Sequence, residues 1–379
     1  MSKALLVGYQ RKGNVTGISQ SFYMVVEGFR QHAIPVTTIY LTQRNAGERI
    51  GTFNLFHVLL LLGDIVRVWV AMLGVPNLYI TISLSTWGMF KDFLIIIPAH
   101  LLRKHVVVHV HSGGYGLLYA QQGRLIQAIT RSMFRCVDQI LVLGELLKSQ
   151  FDFDPGLRSK LIVVRNGLPM GLDNQAVQSK RLEEGRPIRL LYLSNMIVSK
   201  GYLDLLEACK ILKQAGLPFT CDFYGNFVHI VADQGENAYD QDWFLRYTRK
   251  NGLDETVRFH GPVTGTEKQA ILERSQVLVL PTYYPWEGQP ACIIEAMAFG
   301  MPVISTRFRG IPEQVLDGQS GYLIEPRRPD EIADRVQRLA HDAPLYHRMS
   351  IQAIRHYSDN FTQETRIDQI IPIILGQDG

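Results

Sequence analysis

Two α/β domains in tandem are predicted for this chain, each a parallel sheet wound on both faces by helices. Three observations predict it. The 379 residues exceed what one ordinary core organises, so two domains of about 150–200 residues are expected. Short apolar runs alternate with longer helical segments, the pattern of βαβ units. That alternation breaks once, at a polar stretch without periodicity (170–187, MGLDNQAVQSKRLEEGRP), and then restarts.

The first set opens with a strand, ALLVGY (4–9), a glycine-containing loop, QRKGNVTG, a helical run, SQSFYMVVEGFRQH, and a second strand, VTTIYL. Further strands are NLYITISLS (77–85), HVVVHVHS (105–112), DQILVLG (138–144) and KLIVVRNG (160–167), with a helix, GMFKDFLIIIPAHLLRK (88–104), among the connections. The second set is IRLLYLSN (188–195), a helix at 201–215, then FTCDFYGN (219–226), TVRFHGPV (256–263), QVLVLPT (276–282), MPVIST (301–306) and GYLIEP (321–326). A helical stretch runs from about 329 to the end. Near-continuous apolar strands imply sheets buried on both faces. The expected division is residues 1–170 and 171–357, with a C-terminal helix at 358–379 packing back on the first domain. Such sheets bind ligands outside the carboxyl ends of their strands. With two sheets facing each other, that place is a cleft.

Apolar residues at 46% and charged residues at 20% are the balance of a folded globular chain. Four cysteines (136, 209, 221, 292) are scattered without a C-x-x-C pair, which excludes a structural zinc pattern and fits a reducing compartment. The apolar run in MSKALLVGYQRKG is too short for a signal-peptide core, so a cytoplasmic location is expected. Charge is uneven: residues 1–180 hold 18 Lys and Arg against 9 Asp and Glu, while the remainder holds 21 against 26. A basic first half suits an anionic partner. Nucleic acid is not expected, because no basic run interleaved with aromatics appears.

The stretch YYPWEGQPACIIEAMAFGMPVIST places Glu287 in a loop after a buried strand and Glu295 inside the helix that follows. Pro290 is expected at the first helical position and Gly300 just beyond the end. The helix start at Gly288, Gln289 and Pro290 suits a phosphate. Flanking carboxylates repel phosphate and serve hydroxyls instead. A molecule with hydroxyls at both ends and a diphosphate between them is a nucleotide sugar.

EGQPACIIEAMAFGMPVIST followed by GIPEQVLDGQSGYLIEP resembles the C-terminal domain of glycosyltransferase family 4, retaining enzymes of the GT-B fold with an E-x(7)-E signature. VRFHGPV, VLVLPT and LLYLSNMIVSKGYLDLLEA match in the family's order. The likeness is specific from about 188 to 340 and weaker before it.

The resemblance implies that Glu295 holds the nucleotide ribose and Glu287 the donor-sugar hydroxyls, with the backbone of Gly288 and Gln289 on sugar and phosphate. It matches Lys200 to the lysine that neutralises the leaving diphosphate. His260 to Val263 line the base, Gly13 admits the donor phosphate, and His111 lies near the donor sugar. No metal and no obligatory cofactor are implied; the donor is a nucleotide diphosphate sugar, and the acceptor a saccharide or lipid-linked saccharide. One position departs from the pattern: Asn195 stands where the family commonly has an arginine, and a lost cation costs about 10²–10³ in rate. Arg11, Lys12, Arg307 and Arg309 are candidate substitutes. Two other functions stay open, a donor-binding but inactive partner subunit and a sugar-nucleotide epimerase of similar fold. His109 is expected to pack in its sheet, and the Asp152–Phe153–Asp154 triplet to serve its loop.

Peripheral contact with the inner membrane face is also expected of the first domain. The segment 91–104 is the favoured contact, with Lys91, Arg103 and Lys104 reaching anionic headgroups. The segment 53–75 carries Asp64 and Arg67, each costing about 2.5–3.5 kcal/mol in a bilayer. Its apolar residues offset a similar amount, but a strand follows directly at 77–85, so it is expected to pack on the sheet, with a lipid-facing edge helix as the second reading.

Overall fold

The computed structural model describes residues 3–9, 17–42, 55–168, 178–228 and 239–377. The chain divides into two units. One comprises Met1–Met170 and Gln363–Gly379, the other Gly171–Thr362.

The first unit is built on a six-stranded parallel sheet in the order β2-β1-β3-β4-β5-β6. Its strands are β1 (Ala4–Tyr9), β2 (Val36–Leu41), β3 (Asn77–Thr81), β4 (His105–Val110), β5 (Gln139–Val142) and β6 (Leu161–Val163). The helices are α1 (Gly17–Gln31), α2 (Leu55–Met72), α3 (Thr86–Leu101), α4 (Tyr115–Ala120) and α5 (Arg124–Arg135). Successive residues of β1, Ala4 to Val7, are all fully buried, so both faces of the sheet are covered. The crossovers from β2 to β5 step in one direction, which by the right-handed rule puts α2, α3 and α5 on one face.

The other face is closed by α1 and by the last helix of the chain, which belongs to this unit. Its Ile367, Ile370 and Ile374 join Phe22, Val25 and Phe29 in one core. Gly28 permits the approach, since a Cβ there would stand 2.4 Å from Ile367. His105 Nε2 lies 2.9 Å from Ile373 O, and Gln363 donates to Met24 O at 3.1 Å.

The second unit has the strand order β12-β11-β10-β7-β8-β9, again all parallel. Its elements in chain order are β7 (Ile188–Leu193), α6 (Tyr202–Gln214), β8 (Phe219–Tyr224), α7 (Gln241–Lys250), β9 (Val257–Gly261), α8 (Gly265–Arg274) and β10 (Val277–Leu280). Then follow α9 (Ala291–Ala298), β11 (Val303–Thr306), β12 (Gly321–Ile324), α10 (Pro329–His341) and α11 (Ala343–Asn360); the returning helix is α12 (Gln363–Leu375). The order reverses between β7 and β10, which makes the loops after those two strands the switch point of the sheet.

The predicted fold class is the observed one, two doubly wound parallel sheets. Strands β1, β2 and β11 end where the apolar runs end, and the others stop two to four residues earlier: β3 at Thr81 rather than 85, and β6 at Val163 rather than 167. The polar stretch after residue 170 is anchored where it is described. Lys180 Nζ donates to Leu272 O and Ser275 O at 2.9 and 2.8 Å, satisfying carbonyls at the end of α8.

The expected use of Lys91 is corrected. Lys91 is 4% exposed and pairs with the fully buried Asp92 at 2.9 Å, so it meets no headgroup. Asp92 in turn accepts from Ser83 N at 2.8 Å, which ties the start of α3 to the end of β3. Among the described residues, no helix is long and apolar enough to cross a membrane.

Candidate functional site

The loops after β7 and β10 are stitched together at the switch point of the second unit. Tyr283 N donates to Ser199 O at 2.7 Å. Gly201, at φ +80°, makes the approach possible, because a Cβ there would meet Pro281 O at 2.2 Å. The contact fixes the 3₁₀ turn Val198–Lys200 against the loop that carries Glu287. Lys200 Nζ then lies 2.6 Å from Glu287 Oε2 and 4.9 Å from the ring centre of Tyr284. Thr282 Oγ1 donates to the same carboxylate oxygen at 3.0 Å. Both charged groups are largely buried, with side-chain exposures of 14% and 7%. A shielded pair of this kind is oriented before any ligand arrives.

Helix α9 begins one residue later than expected. Pro290 is its N-cap and Ala291 its first residue, a correction to the predicted place of the proline. The cause is ψ of 120° at Pro290, outside the helical range. No side chain caps the helix, and Ala291 is exposed, so the first turn opens to solvent with its positive dipole end. Gly288 and Gln289 are buried between Glu287 and the helix. Gln314 holds the turn by donating to Pro290 O at 3.2 Å. Gly300, at φ +66°, follows the last turn.

Glu295 projects from α9 with 2% exposure. Its Oε1 pairs with Lys268 Nζ from α8 at 2.5 Å, while its Oε2 is buried without a hydrogen-bond partner. Leaving such an oxygen unsatisfied costs about 1–3 kcal/mol or more. One turn earlier, burial pushes the Cys292 thiol up to about 12, with the carboxylates of Glu295 and Glu287 adding to it. That thiol is no nucleophile at neutral pH.

His260, on β9, stacks on Tyr224 with ring centres 4.6 Å apart and its Nε2 2.6 Å from Asp222 Oδ1. Arg274 donates to Tyr224 OH at 2.8 Å. Val263 lies two residues beyond the end of β9. Asn195 is exposed in the loop after β7, where its Oδ1 accepts from Asn226 N at 3.4 Å. Of the candidate substitute cations, Arg307 is engaged with Asp317 and with Glu325 at 3.8 Å. Arg309 is half-buried at φ +52°, with its Nε unpartnered. Gly13, Arg11 and Lys12 lie outside the described residues.

His111 belongs to the first unit, just past the end of β4. Both its ring nitrogens are buried without a hydrogen-bond partner. Burial pushes its imidazole down to about 3, with the Arg366 guanidinium from α12 adding to the effect, so it is neutral near pH 7. His109 is fully buried, with Nδ1 2.8 Å from Tyr79 OH. Asp154 pairs with Arg135 at 2.7 Å and accepts from Gly156 N at 3.1 Å, while Asp152 faces Arg158 at 3.4 Å. The triplet thus closes a loop. Among the described residues, no group of three His, Cys, Asp or Glu is arranged to hold a metal ion.

Three partners of the site escape sequence reasoning: Lys268, Thr282 and Tyr224. Lys268 sits in an ordinary charged helix, Tyr224 ends β8, and Thr282 closes the VLVLPT run without any sign that its hydroxyl reaches Glu287.

Residues 173–356 match the family model of the glycosyl transferases group 1. A glycogen synthase of Mycobacterium tuberculosis is 26% identical over 284 residues, 72% of this chain and 64% of that protein. An amylovoran biosynthesis glycosyltransferase, AmsK of Erwinia amylovora, is 29% identical over 160 residues, 41% of this chain and 36% of that protein. The chain therefore aligns with less than two thirds of the length of either relative. Among solved structures, Anabaena Alr3699/HepE in complex with UDP superposes with a TM-score of 0.71 at 16% identity, covering 97% of this chain and 98% of that one. The lipopolysaccharide outer core galactosyltransferase WaaB, in its apo form, gives a TM-score of 0.71 at 14% identity, covering 99% of each chain. Residues 173–356 thus carry the sequence pattern of the glycosyl transferases group 1, and the two units, each built on a six-stranded parallel sheet, have the GT-B fold.

Proposed function

We propose that the chain transfers a sugar from a nucleotide diphosphate sugar to an acceptor hydroxyl, with the anomeric configuration retained. The observation that carries this reading is the set of groups at the switch point. A cation, Lys200, and an uncapped helix start lie beside one buried carboxylate, while a second, Glu295, keeps an oxygen with no partner inside the protein. The solved Anabaena relative, described in complex with UDP and with UDP-glucose, supports a donor of this class.

Each residue then has a task. Glu295 Oε2 accepts from a ribose hydroxyl, and Glu287 accepts from donor-sugar hydroxyls. Lys200, the backbone at Gly288 and Gln289, and the first turn of α9 meet the diphosphate. His260 and Val263 line the base. The bond from the anomeric carbon to the diphosphate oxygen breaks. A bond from the acceptor oxygen forms on the same face, and the acceptor proton passes to the leaving phosphate. Products are the glycoside and the nucleoside diphosphate. The acceptor class proposed is a lipid-linked saccharide, in polysaccharide or glycoconjugate assembly. Asn195 favours one second reading, a donor-binding subunit without turnover.

A thermal-shift screen across nucleotide sugars tests the donor class. A true donor at ~100 times its Kd adds about 2.7 kcal/mol of stability. No divalent ion is needed in this scheme, so the shift is expected to persist in chelator. No shift with any nucleotide sugar, or a shift that chelator abolishes and magnesium restores, would contradict it.

A further inference from the structure

Helix α2 is apolar on both of its faces. Ile65, Val68 and Met72 are buried toward the sheet, and Asp64 turns inward with them to accept from Thr42 N at 2.7 Å. The opposite stripe carries Leu59, Leu62, Val66, Val70 and Leu73, three or four residues apart and 48–68% exposed. Trp69 ties this helix to α3, donating from Nε1 to Leu94 O at 2.9 Å. Where the two helices end, Trp69, Val70, Leu73, Pro98, Leu101 and Leu102 line an apolar groove of about 400 Å³. Trp87 and Phe90 of α3 are exposed as well. An ordinary surface helix is polar on its outer face, and one that is apolar all round belongs in a core or against lipid.

The charges around this face are mostly basic; the half-exposed carboxylate of Asp138, which accepts from Val106 N at 2.7 Å and lies 3.8 Å from His105 Nδ1, is the exception near its border. Residues 55–136 contain only two carboxylates, Asp64 and Asp92, and both are buried. The same stretch holds seven Lys and Arg, of which Lys91 alone is buried. Arg103 and Lys104 follow the groove directly, and Arg124 and Arg131 come from α5 in the same helical layer. None of these four has an ion-pair partner among the described residues. An apolar stripe with tryptophans and an unneutralised basic border matches lipid tails and anionic headgroups together. A second copy of the chain fits less well, because a two-fold contact through this face would bring the same basic borders together.

We infer that the outer face of α2 and α3 docks the first unit on an anionic lipid surface, with α2 lying in the plane of the interface. The apolar stripe of α2 enters the headgroup boundary, and Arg103 and Lys104 meet the headgroups that Lys91 does not reach.

Flotation with vesicles tests this. The whole chain is expected to float with phosphatidylcholine–phosphatidylglycerol vesicles at low salt, to leave them at high salt without detergent, and to ignore phosphatidylcholine alone. Val66→Glu combined with Val70→Glu should weaken binding about tenfold or more, and so should Arg103→Glu with Lys104→Glu. All four side chains are at the surface or nearly so, and melting curves check that each variant is folded. Nucleotide binding is measured on the same samples and should not change, which separates the lipid face from the donor site. Four results would overturn the inference: no binding to anionic vesicles, binding that neither variant weakens, binding that only detergent releases, or a dimer that the α2 variant turns into a monomer.

Discussion

Glu295→Ala is expected to weaken binding of the nucleoside diphosphate by about 10- to 150-fold, the ~1.5–3 kcal/mol of a hydrogen bond to a charged group. The same change should leave the free protein as stable as before, or more so. Wild-type Glu295 buries an oxygen without a partner, and its removal relieves that cost. Lys268 then loses its ion-pair partner, but at 26% side-chain exposure it can be rehydrated. Affinity and stability therefore move apart, as they do where a site is built for a ligand rather than for the fold. Calorimetry with the nucleoside diphosphate alone, beside a denaturant titration, reads both. Unchanged affinity removes the ribose assignment, and a large loss of stability makes Glu295 a structural residue.

Lys200→Ala should have the opposite profile on stability and a large effect on rate. Turnover is expected to fall about 10²–10³-fold, since a preoriented cation on the leaving group is lost. The variant also leaves Glu287 buried opposite no charge, and breaking such a pair costs about 3–5 kcal/mol. Removing both partners should restore much of that stability, because the stranded charge goes too, but none of the activity. Denaturant midpoints of the two single variants and the double variant give the coupling directly. Strictly additive stabilities would mean that the 2.6 Å contact does not bind the two groups energetically.

Much of this arrangement was legible before the structure, and the parts that were not have physical reasons. Strand positions follow from apolar runs, because both faces of each sheet are covered and no alternation is needed. Strand ends do not follow, since residues such as Ser83 and Asn195 continue the run but leave the ladder for loops. The resemblance singles out Glu287 and Glu295 through one stretch and Lys200 through another, far earlier in the chain. It says nothing of the 2.6 Å pairing between two of them, which depends on Gly201 letting distant loops touch. Helix α3 misleads for a related reason. Lys91, which opens the segment 91–104, looks exposed in sequence, yet Asp92, the next residue, pairs with it in the interior. Helix α2 reads as a buried helix because its hydropathy has no polar stripe, and only coordinates reveal that one apolar side faces outward.

Proton NMR of the sugar released from a nucleotide sugar bears most directly on the central claim, that the switch-point site of the second unit breaks the bond from sugar to diphosphate with retention. The donor is incubated with the protein in the absence of acceptor, and the first anomer to appear is recorded before mutarotation equalises the two. The expected result is slow release of sugar with the donor's own anomeric configuration, abolished in Lys200→Ala. Release of the inverted anomer would contradict the retaining reading, and binding without any release, with acceptor present or absent, would contradict the transferase itself.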